Sequence, residues 1–478
     1  MLNEVIKFSS PVTTKAYAKL FNLMLKTGHY PTSWNTAYIT LVHKSGDKCN
    51  PSNYRGISLI NCISKLFSSI LNQRMIKTME KKLTNAQFGF RVNHRTADSV
   101  FILKTLINKY IHKNKRKLYV CFVDLKKAFD SLWRIGMLYK LAKMGVGKHM
   151  FEIIKQQFIH TEASIKYNDK HSRFFPIDRG VKQGDSISPT LFNLFINDIV
   201  ENFDHKGSKP LRILNSDIGS LLFADDLIIL SESKEGLQNS LNNLSNYCEK
   251  WQLCLNTKKT KTMIIEQRTT KLEPYIVRFN NEKIDNVTEY KFLGTLIKNN
   301  GNLNASLTDL AKKARKALFS LKTHAAFLGN FPVNVSCNLF DSLIKPILTY
   351  NAEISYMDTY QSYYRAKGRL KSQNKDIDNF QYLDKTPFEK VHVNFCKYIL
   401  GTKKTSANLG VKAELGRQPI EKYIKTQAIL YWARLNTENI NPLLKESYTL
   451  SKHLDSQGVY TWSTFIKDST QEMNIDIQ

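Results

Sequence analysis

The sequence is poor in the features that mark secreted, membrane-spanning or zinc-stapled proteins. Its seven cysteines, Cys49, Cys62, Cys121, Cys248, Cys254, Cys337 and Cys396, are odd in number and scattered. None forms a CxxC pair or stands at a partnered histidine spacing, which argues against a zinc finger and a disulfide framework and fits a reducing compartment. No apolar run approaches the length of a membrane span, and Met1 to Ser10 lacks a signal-peptide pattern, so a soluble, intracellular chain without a membrane partner is expected. Internal repeats and low-complexity tracts are missing too. Acidic residues are the other shortage: 41 Asp and Glu face 70 Lys and Arg, a net charge of +29. Such a field attracts a polyanion, whether nucleic acid or an acidic membrane surface, although a merely basic protein carries it as well.

What is present suits a folded chain of two or three domains: 478 residues, 42% hydrophobic and 11% aromatic. Apolar residues at helical intervals from Thr14 to Lys26 stop at the breaker Gly28-His29-Tyr30-Pro31. Ala37 to His43 reads as a strand, Ser64 to Lys81 and Ala97 to Tyr110 as helices, and Leu118 to Leu125, crowded with β-branched and aromatic residues, as another strand. A loop containing Gly180 to Asp185 leads into an amphipathic helix over Pro189 to Phe203. Two apolar runs, Ser220 to Ala224 and Leu227 to Leu230, flank Asp225-Asp226 as in a hairpin. A helix over Glu235 to Trp251 and a strand over Thr262 to Glu266 follow. Beyond Gly301 strand signals thin out and Lys-rich helical periodicity takes over, as from Leu307 to His324, so a domain boundary is placed near residue 300. The tyrosine-rich polar stretch from Asp358 to Asp384 reads as a loop or linker.

Two places carry carboxylates where burial is costly: Asp124, at the end of an apolar strand, and Asp225-Asp226 between Leu-rich arms. Alone, Asp-Asp is more often a simple turn. Brought together, however, the three charges would repel one another unless cations lay among them. Hard oxygen ligands without nearby imidazole or thiolate favour Mg²⁺, with Mn²⁺ as substitute, over zinc. Two such ions about 3.5 to 4 Å apart suit in-line phosphoryl transfer.

In order along the chain, these motifs resemble the reverse transcriptase of non-LTR (LINE-type) retrotransposons over roughly residues 30 to 300. Val123-Asp124-Leu125-Lys126-Lys127-Ala128-Phe129-Asp130 is similar to the first catalytic motif, and Phe223-Ala224-Asp225-Asp226 to the second. The resemblance implies two Mg²⁺ ions held by Asp124, the carbonyl of Leu125 and Asp225, with Asp226 less directly engaged. It implies that Phe129 lies against the sugar of a deoxynucleoside triphosphate, where it would exclude a 2′-hydroxyl; core packing of this ring is the competing reading. Gln183 and Gly184, in Gly180-Val181-Lys182-Gln183-Gly184-Asp185-Ser186-Ile187-Ser188-Pro189, would support sugar and template base, and Ala224 belongs to the same nucleotide site. Asp185 would cap the next helix or join the loop. Lys44 and Arg55 would hold the triphosphate, unless they are ordinary surface charges. Gln87-Phe88-Gly89-Phe90-Arg91 resembles a template-contacting segment with Gly89 and Arg91 at a phosphate, or is a packed aromatic turn. Lys259 would protonate pyrophosphate, with Lys258 and Lys261 as rivals, and Phe292-Leu293-Gly294 would grip the primer.

The implied fold is α+β, a right-hand polymerase whose fingers and palm contain antiparallel sheet, followed by a helical thumb. Expected divisions are an N-terminal helical extension (1–30), fingers and palm (31–300), a helical thumb (301–390) bearing Lys312, Lys313, Arg315 and Lys316 along a duplex, and a C-terminal helical region (391–478) without assigned chemistry. The implied activity is RNA-directed DNA synthesis, with RNA template, DNA primer, RNA–DNA hybrid and deoxynucleoside triphosphates as partners, in a ribonucleoprotein of nucleus or cytoplasm. A silent nucleic-acid-binding remnant, or a group II intron or telomerase-like enzyme, is the alternative. One departure is Arg55-Gly56-Ile57-Ser58, where related elements read Arg-Pro-Ile-Ser. No endonuclease pattern is legible, so a fragment of an element's reading frame, unable to nick its own target, is expected.

Overall fold

The strand Leu118–Val123 is apolar throughout because both of its faces are covered. In the computed structural model, which describes residues 3–203, 206–267, 276–327, 331–371 and 384–475, Leu118, Val120 and Phe122 point into one core while Cys121 and Val123 point into another. This strand is central to a six-stranded sheet ordered Val277–Phe279, Glu282–Asn286, Lys261–Ile265, Leu118–Val123, Asp226–Ser231, Ser220–Phe223. Its pairings are antiparallel except that between Lys261–Ile265 and Glu282–Asn286. On one face lie Ser188–Ile196 and the amphipathic helix Lys234–Trp251. The other face is covered by Thr96–Ile107 and by the C-terminal helices.

A second sheet, ordered Tyr54–Leu59, Thr36–His43, Glu162–Tyr167, Lys170–His171, carries the short strand Phe175–Pro176 on Glu162–Tyr167. The helix Pro11–Thr27 precedes it, started by Ser10, whose hydroxyl accepts the Thr13 N–H, and ended by Gly28 at φ 73°. After Thr295–Lys298 the described residues are helical or irregular, beginning with Asn304–Phe327. Residues of Thr96–Ile107, the central sheet and the helices up to Trp462–Glu472 share one continuous core. Asp98, wholly buried, fastens them: its carboxylate accepts from the Tyr431 hydroxyl at 2.9 Å and from two Arg434 nitrogens at 2.9 and 2.7 Å. Among the described residues no helix is long and apolar enough to cross a membrane.

Two local expectations are corrected. The tyrosine-rich stretch is helical to its described limit, within Ala352–Lys371, because Tyr356, Tyr360 and Tyr363 recur at helical spacing and are buried on one side; residues 372–383 lie outside the described residues. Over Pro189 to Phe203 the α-helix stops at Ile196 and continues as the tighter 3₁₀ turn Asn197–Asn202. There Asn197 accepts the Thr84 N–H and donates to the Lys82 carbonyl, and Asp198 is drawn to Lys140, so tertiary partners compete with regular helix.

Candidate active site

Antiparallel register pairs Leu227 with Val123 at the end of the ladder, and the next residues on the two chains, Asp226 and Asp124, lie close enough that the Asp124 charge acts on Asp226. Asp225 sits in the two-residue turn between Phe223 and Asp226, after Ala224, whose φ is +58°. Asp124 is held from behind by the loop after Leu255. Its N–H donates to the Thr260 hydroxyl at 3.2 Å, its carbonyl accepts the Asn256 N–H at 2.8 Å, and its carboxylate accepts from the Asn256 amide at 2.9 Å. Leu125, buried, pairs with Leu255 across the same junction.

The three carboxyls feel one another. Burial first, and the charge of Asp124 next, push Asp225 above the usual aspartate range, and Arg55 and Lys44 offset this only in part. Asp226 is pushed up to about 6 by desolvation and by the charges of Asp225 and Asp124. Tyr290, stacked on Phe122 with ring centroids 4.1 Å apart, is raised to about 12 by burial and by the nearby Asp226 and Asp124 charges. Among the described residues no three acidic, histidine or cysteine side chains form a ready-made metal cage. The donor set nevertheless fits Mg²⁺, which is commonly held by one or two carboxylates and completed by water and substrate phosphate. The raised carboxyls are those a divalent cation would relieve.

Facing them is a wall made by two distant segments. The loop carrying Gln183 is joined to the motif after Asp124: the Gly180 N–H donates to the Leu132 carbonyl, the Val181 N–H to the Phe129 carbonyl, and the Gln183 amide to Asp130 at 2.8 Å. A side chain at Gly180 would come within 2.5 Å of the Asp130 carbonyl oxygen. On its other side the loop meets the second sheet, where the Ser58 N–H donates to the Gln183 carbonyl at 2.7 Å and Gly184, at φ 117°, leaves no room for a Cβ beside the Ser58 oxygen. Gly56 is explained here, because a Cβ at that position would lie 2.9 Å from the Ile39 side chain on the neighbouring strand. Exposed Lys44 and Arg55 belong to this hairpin, and their charges reach both Asp130 and Asp225.

Phe129 is half-buried, with its ring stacked on Phe192 at 4.5 Å and met edge-on by exposed Phe90 at 6.0 Å. Asp185, half-buried just ahead of the helix Ser188–Ile196, is raised above the usual aspartate range by burial, against the opposing pull of Lys182, the Ser68 hydroxyl and the nearby amides of Ile187 and Ser186. Lys259 is exposed in the turn that supports Asp124, whereas its rival Lys261 is paired with Asp285 at 2.6 Å.

Gly89 and Arg91 are placed differently from a phosphate cradle. Gly89 packs behind the aspartate hairpin, where a Cβ would lie 2.1 Å from the Ala224 nitrogen. The Arg91 side chain, 7% exposed, is paired with Glu80 at 2.8 Å and donates to the carbonyls of Thr84 and Gln87. Phe292 is buried, and Leu293-Gly294 forms the turn between Glu289–Phe292 and Thr295–Lys298. That turn rests on the C-terminal region through Asn351, whose amide donates to the Leu293 carbonyl at 3.3 Å. Residues that sequence reasoning passed over are Asp130, quoted in its motif without a role, and the supports Asn256, Thr260 and Gln87. The spacing of Asp130 six residues after Asp124 was the available signal for the first.

Residues 42–297 match the family described as reverse transcriptase (RNA-dependent DNA polymerase). A Drosophila melanogaster protein named RNA-directed DNA polymerase from mobile element jockey is 25% identical over 363 residues, covering 74% of this chain and 38% of the relative. The Pol polyprotein from the type-1 retrotransposable element R2 of Popillia japonica is 30% identical over 254 residues, 53% of this chain and 35% of its own length. The chain thus spans well under half the length of these curated relatives. Apo telomerase from Candida tropicalis superposes with a TM-score of 0.43 at 16% identity, over 91% of this chain and 74% of that one. The chain belongs to the reverse transcriptase (RNA-dependent DNA polymerase) family, in the non-LTR, LINE-type group.

Proposed function

We propose that this chain is the RNA-directed DNA polymerase of a non-LTR retrotransposon, extending a DNA primer on an RNA template with deoxynucleoside triphosphates. The observation that carries the reading is the set of partly desolvated, mutually repelling carboxyls of Asp124, Asp225 and Asp226 set within electrostatic reach of Lys44 and Arg55. Two Mg²⁺ ions held by Asp124, Asp225 and the Leu125 carbonyl would supply charge stabilisation at the α-phosphate and lower the pKa of the primer hydroxyl. Lys44 and Arg55 bind the triphosphate, Gln183 and Gly184 shape the sugar and base site beside Ala224, and the Phe129 ring excludes a ribose 2′-hydroxyl. Lys259 donates a proton to departing pyrophosphate, and Phe292-Leu293-Gly294 positions the primer end. Exposed Lys312, Lys313, Arg315 and Lys316, on the helix Asn304–Phe327, bind the hybrid backbone as part of a thumb that begins near residue 301.

Primer extension by the purified chain on RNA and DNA templates tests the reading. Extension on RNA should require Mg²⁺ or Mn²⁺ and vanish in the Asp124→Ala, Asp225→Ala double variant. Tight hybrid binding without extension by the parent chain would instead make it a binding module.

A further inference from the structure

Alanine is an unfavourable residue at position 224. The hairpin turn places it at φ +58°, where a Cβ clashes with the backbone and glycine is the usual occupant. Such strain persists only when the surroundings hold it. Here one side chain does most of the holding. Gln87, 1% exposed, accepts the Ala224 N–H at 3.0 Å and the Gly89 N–H at 2.8 Å on its Oε1, and its Nε2 points to the Ala224 carbonyl at 3.4 Å. Both backbone polar groups of the strained residue are thus engaged by a single amide.

The rest of the segment supports that grip. The Phe88 N–H donates to the Leu222 carbonyl at 2.8 Å and the Leu222 N–H to the Ala86 carbonyl at 2.9 Å, so residues 86–88 lie alongside the hairpin as an extra edge. Asn193 fixes Gly89 from below, donating to its carbonyl at 2.7 Å. The absence of a side chain at Gly89 is what lets the two backbones come this close.

We infer that Gln87 is a positioning residue that clamps Ala224 in its left-handed conformation and thereby aims Asp225. The segment Gln87 to Arg91 acts on the reaction from behind the aspartate hairpin, through the turn it holds. This deepens the proposed polymerase function and rests on it only where catalysis is the readout.

The test uses the full chain carrying Gln87→Met, which keeps length and apolar bulk but removes all three hydrogen bonds. Amide exchange of a peptide spanning residues 218–227 should accelerate at least severalfold, because the Ala224 N–H loses its acceptor. On an RNA template kcat should fall by about 100-fold, the effect of misplacing a reacting group by roughly 1 Å, while KM for nucleotide and Kd for hybrid stay within about twofold. Gln87→Glu, which keeps an acceptor for both N–H groups, should exchange slowly like the parent and retain more activity than Gln87→Met. Adding Ala224→Gly to Gln87→Met should recover part of the lost kcat, since glycine adopts the turn unaided; a packing defect would not be rescued this way. Unchanged exchange and kcat in Gln87→Met overturn the inference, as does a loss carried entirely by hybrid affinity, which makes Gln87 a template contact. If Gln87→Met fails to fold, Gln87→Glu decides: slow exchange with retained activity upholds the clamp, and fast exchange refutes it. If the parent does not extend primers, the exchange result still stands and only the polymerase reading fails.

Discussion

Replacing Asp226 by asparagine should stabilise the protein while damaging its activity. Asp226 is raised from the ordinary aspartate range to about 6, first by desolvation and then by the charges of Asp225 and Asp124. Taken at face value that rise corresponds to roughly 3 kcal/mol of penalty on the ionised form. The residue is only partly removed from solvent, however, so screening reduces the figure to about 1 kcal/mol. Because the folded-state pKa lies above the unfolded one, the folded protein binds the proton more tightly, and the penalty is felt above about pH 6. It fades as pH falls through 6 and is gone only near pH 3, where Asp226 is neutral in the folded state and largely so in the unfolded one.

Asp226→Asn should therefore unfold about 1 to 2 °C higher than the parent at pH 7.5 in EDTA, with the difference shrinking to nothing near pH 3. Millimolar Mg²⁺ should raise the parent's midpoint more at pH 7.5 than at pH 5, because protons compete for the same oxygens. Thermal scans of parent and variant across pH, with EDTA or Mg²⁺, measure all of this. Equal midpoints at pH 7.5 in EDTA, or an undiminished gap at pH 3, would refute the electrostatic origin of the penalty.

Three further outcomes are expected. Gly89→Ala forces a Cβ to within 2.1 Å of the Ala224 nitrogen, so stability should fall by about 1 to 3 kcal/mol by urea titration and extension by about 100-fold. Asp98→Asn leaves the Arg434 guanidinium without its buried counter-charge, which should cost about 3 kcal/mol and lower the urea midpoint. Phe129→Val removes the ring that Phe192 and Phe90 hold in place; discrimination against ribonucleotides, read as the ratio of kcat/KM values, should drop by roughly tenfold or more, and an unchanged ratio would take the ring away from the sugar.

Much of the fold was legible because its signals are local. The apolar run at Leu118–Val123, the arms around Asp225-Asp226 and the periodicity of Lys234–Trp251 each announce their element within a dozen residues. The site was legible as far as its motifs reach. Its supports were hidden, because the partners are far apart in sequence: Asn256 holds Asp124 from 132 residues away and Gln87 meets Ala224 from 137. Arg91 stood between two readings, a phosphate ligand and part of a packed aromatic turn, and its surroundings favour the second. An arginine beside an aromatic-glycine turn in a basic chain reads as a phosphate ligand, yet its guanidinium is taken up by Glu80 and two carbonyls. The tyrosine-rich helix was missed for a third reason, since its composition is polar and only the burial of Tyr356, Tyr360 and Tyr363 against other helices makes it regular.

The C-terminal helices, which sequence left without chemistry, are tied to the segment that holds the aspartate hairpin. Asn441 donates to the Asn85 carbonyl at 3.0 Å, Arg434 to the Asn93 carbonyl at 2.9 Å, and Tyr431 and Arg434 together hold Asp98. Gln87 and Gly89 lie between those anchors, with the aspartate turn on their other side. Displacing the strand edge at residues 86–88 therefore requires breaking contacts at both Asn85 and Asp98, the second buried and ionic. A strained turn at Ala224 is tolerable because its clamp is fastened at both ends to a core far larger than the hairpin itself. On this reasoning the helices carrying Tyr431, Arg434 and Asn441 brace the aspartate turn, and under the proposed polymerase function the loss of stability and the loss of kcat in Asp98→Asn should appear together.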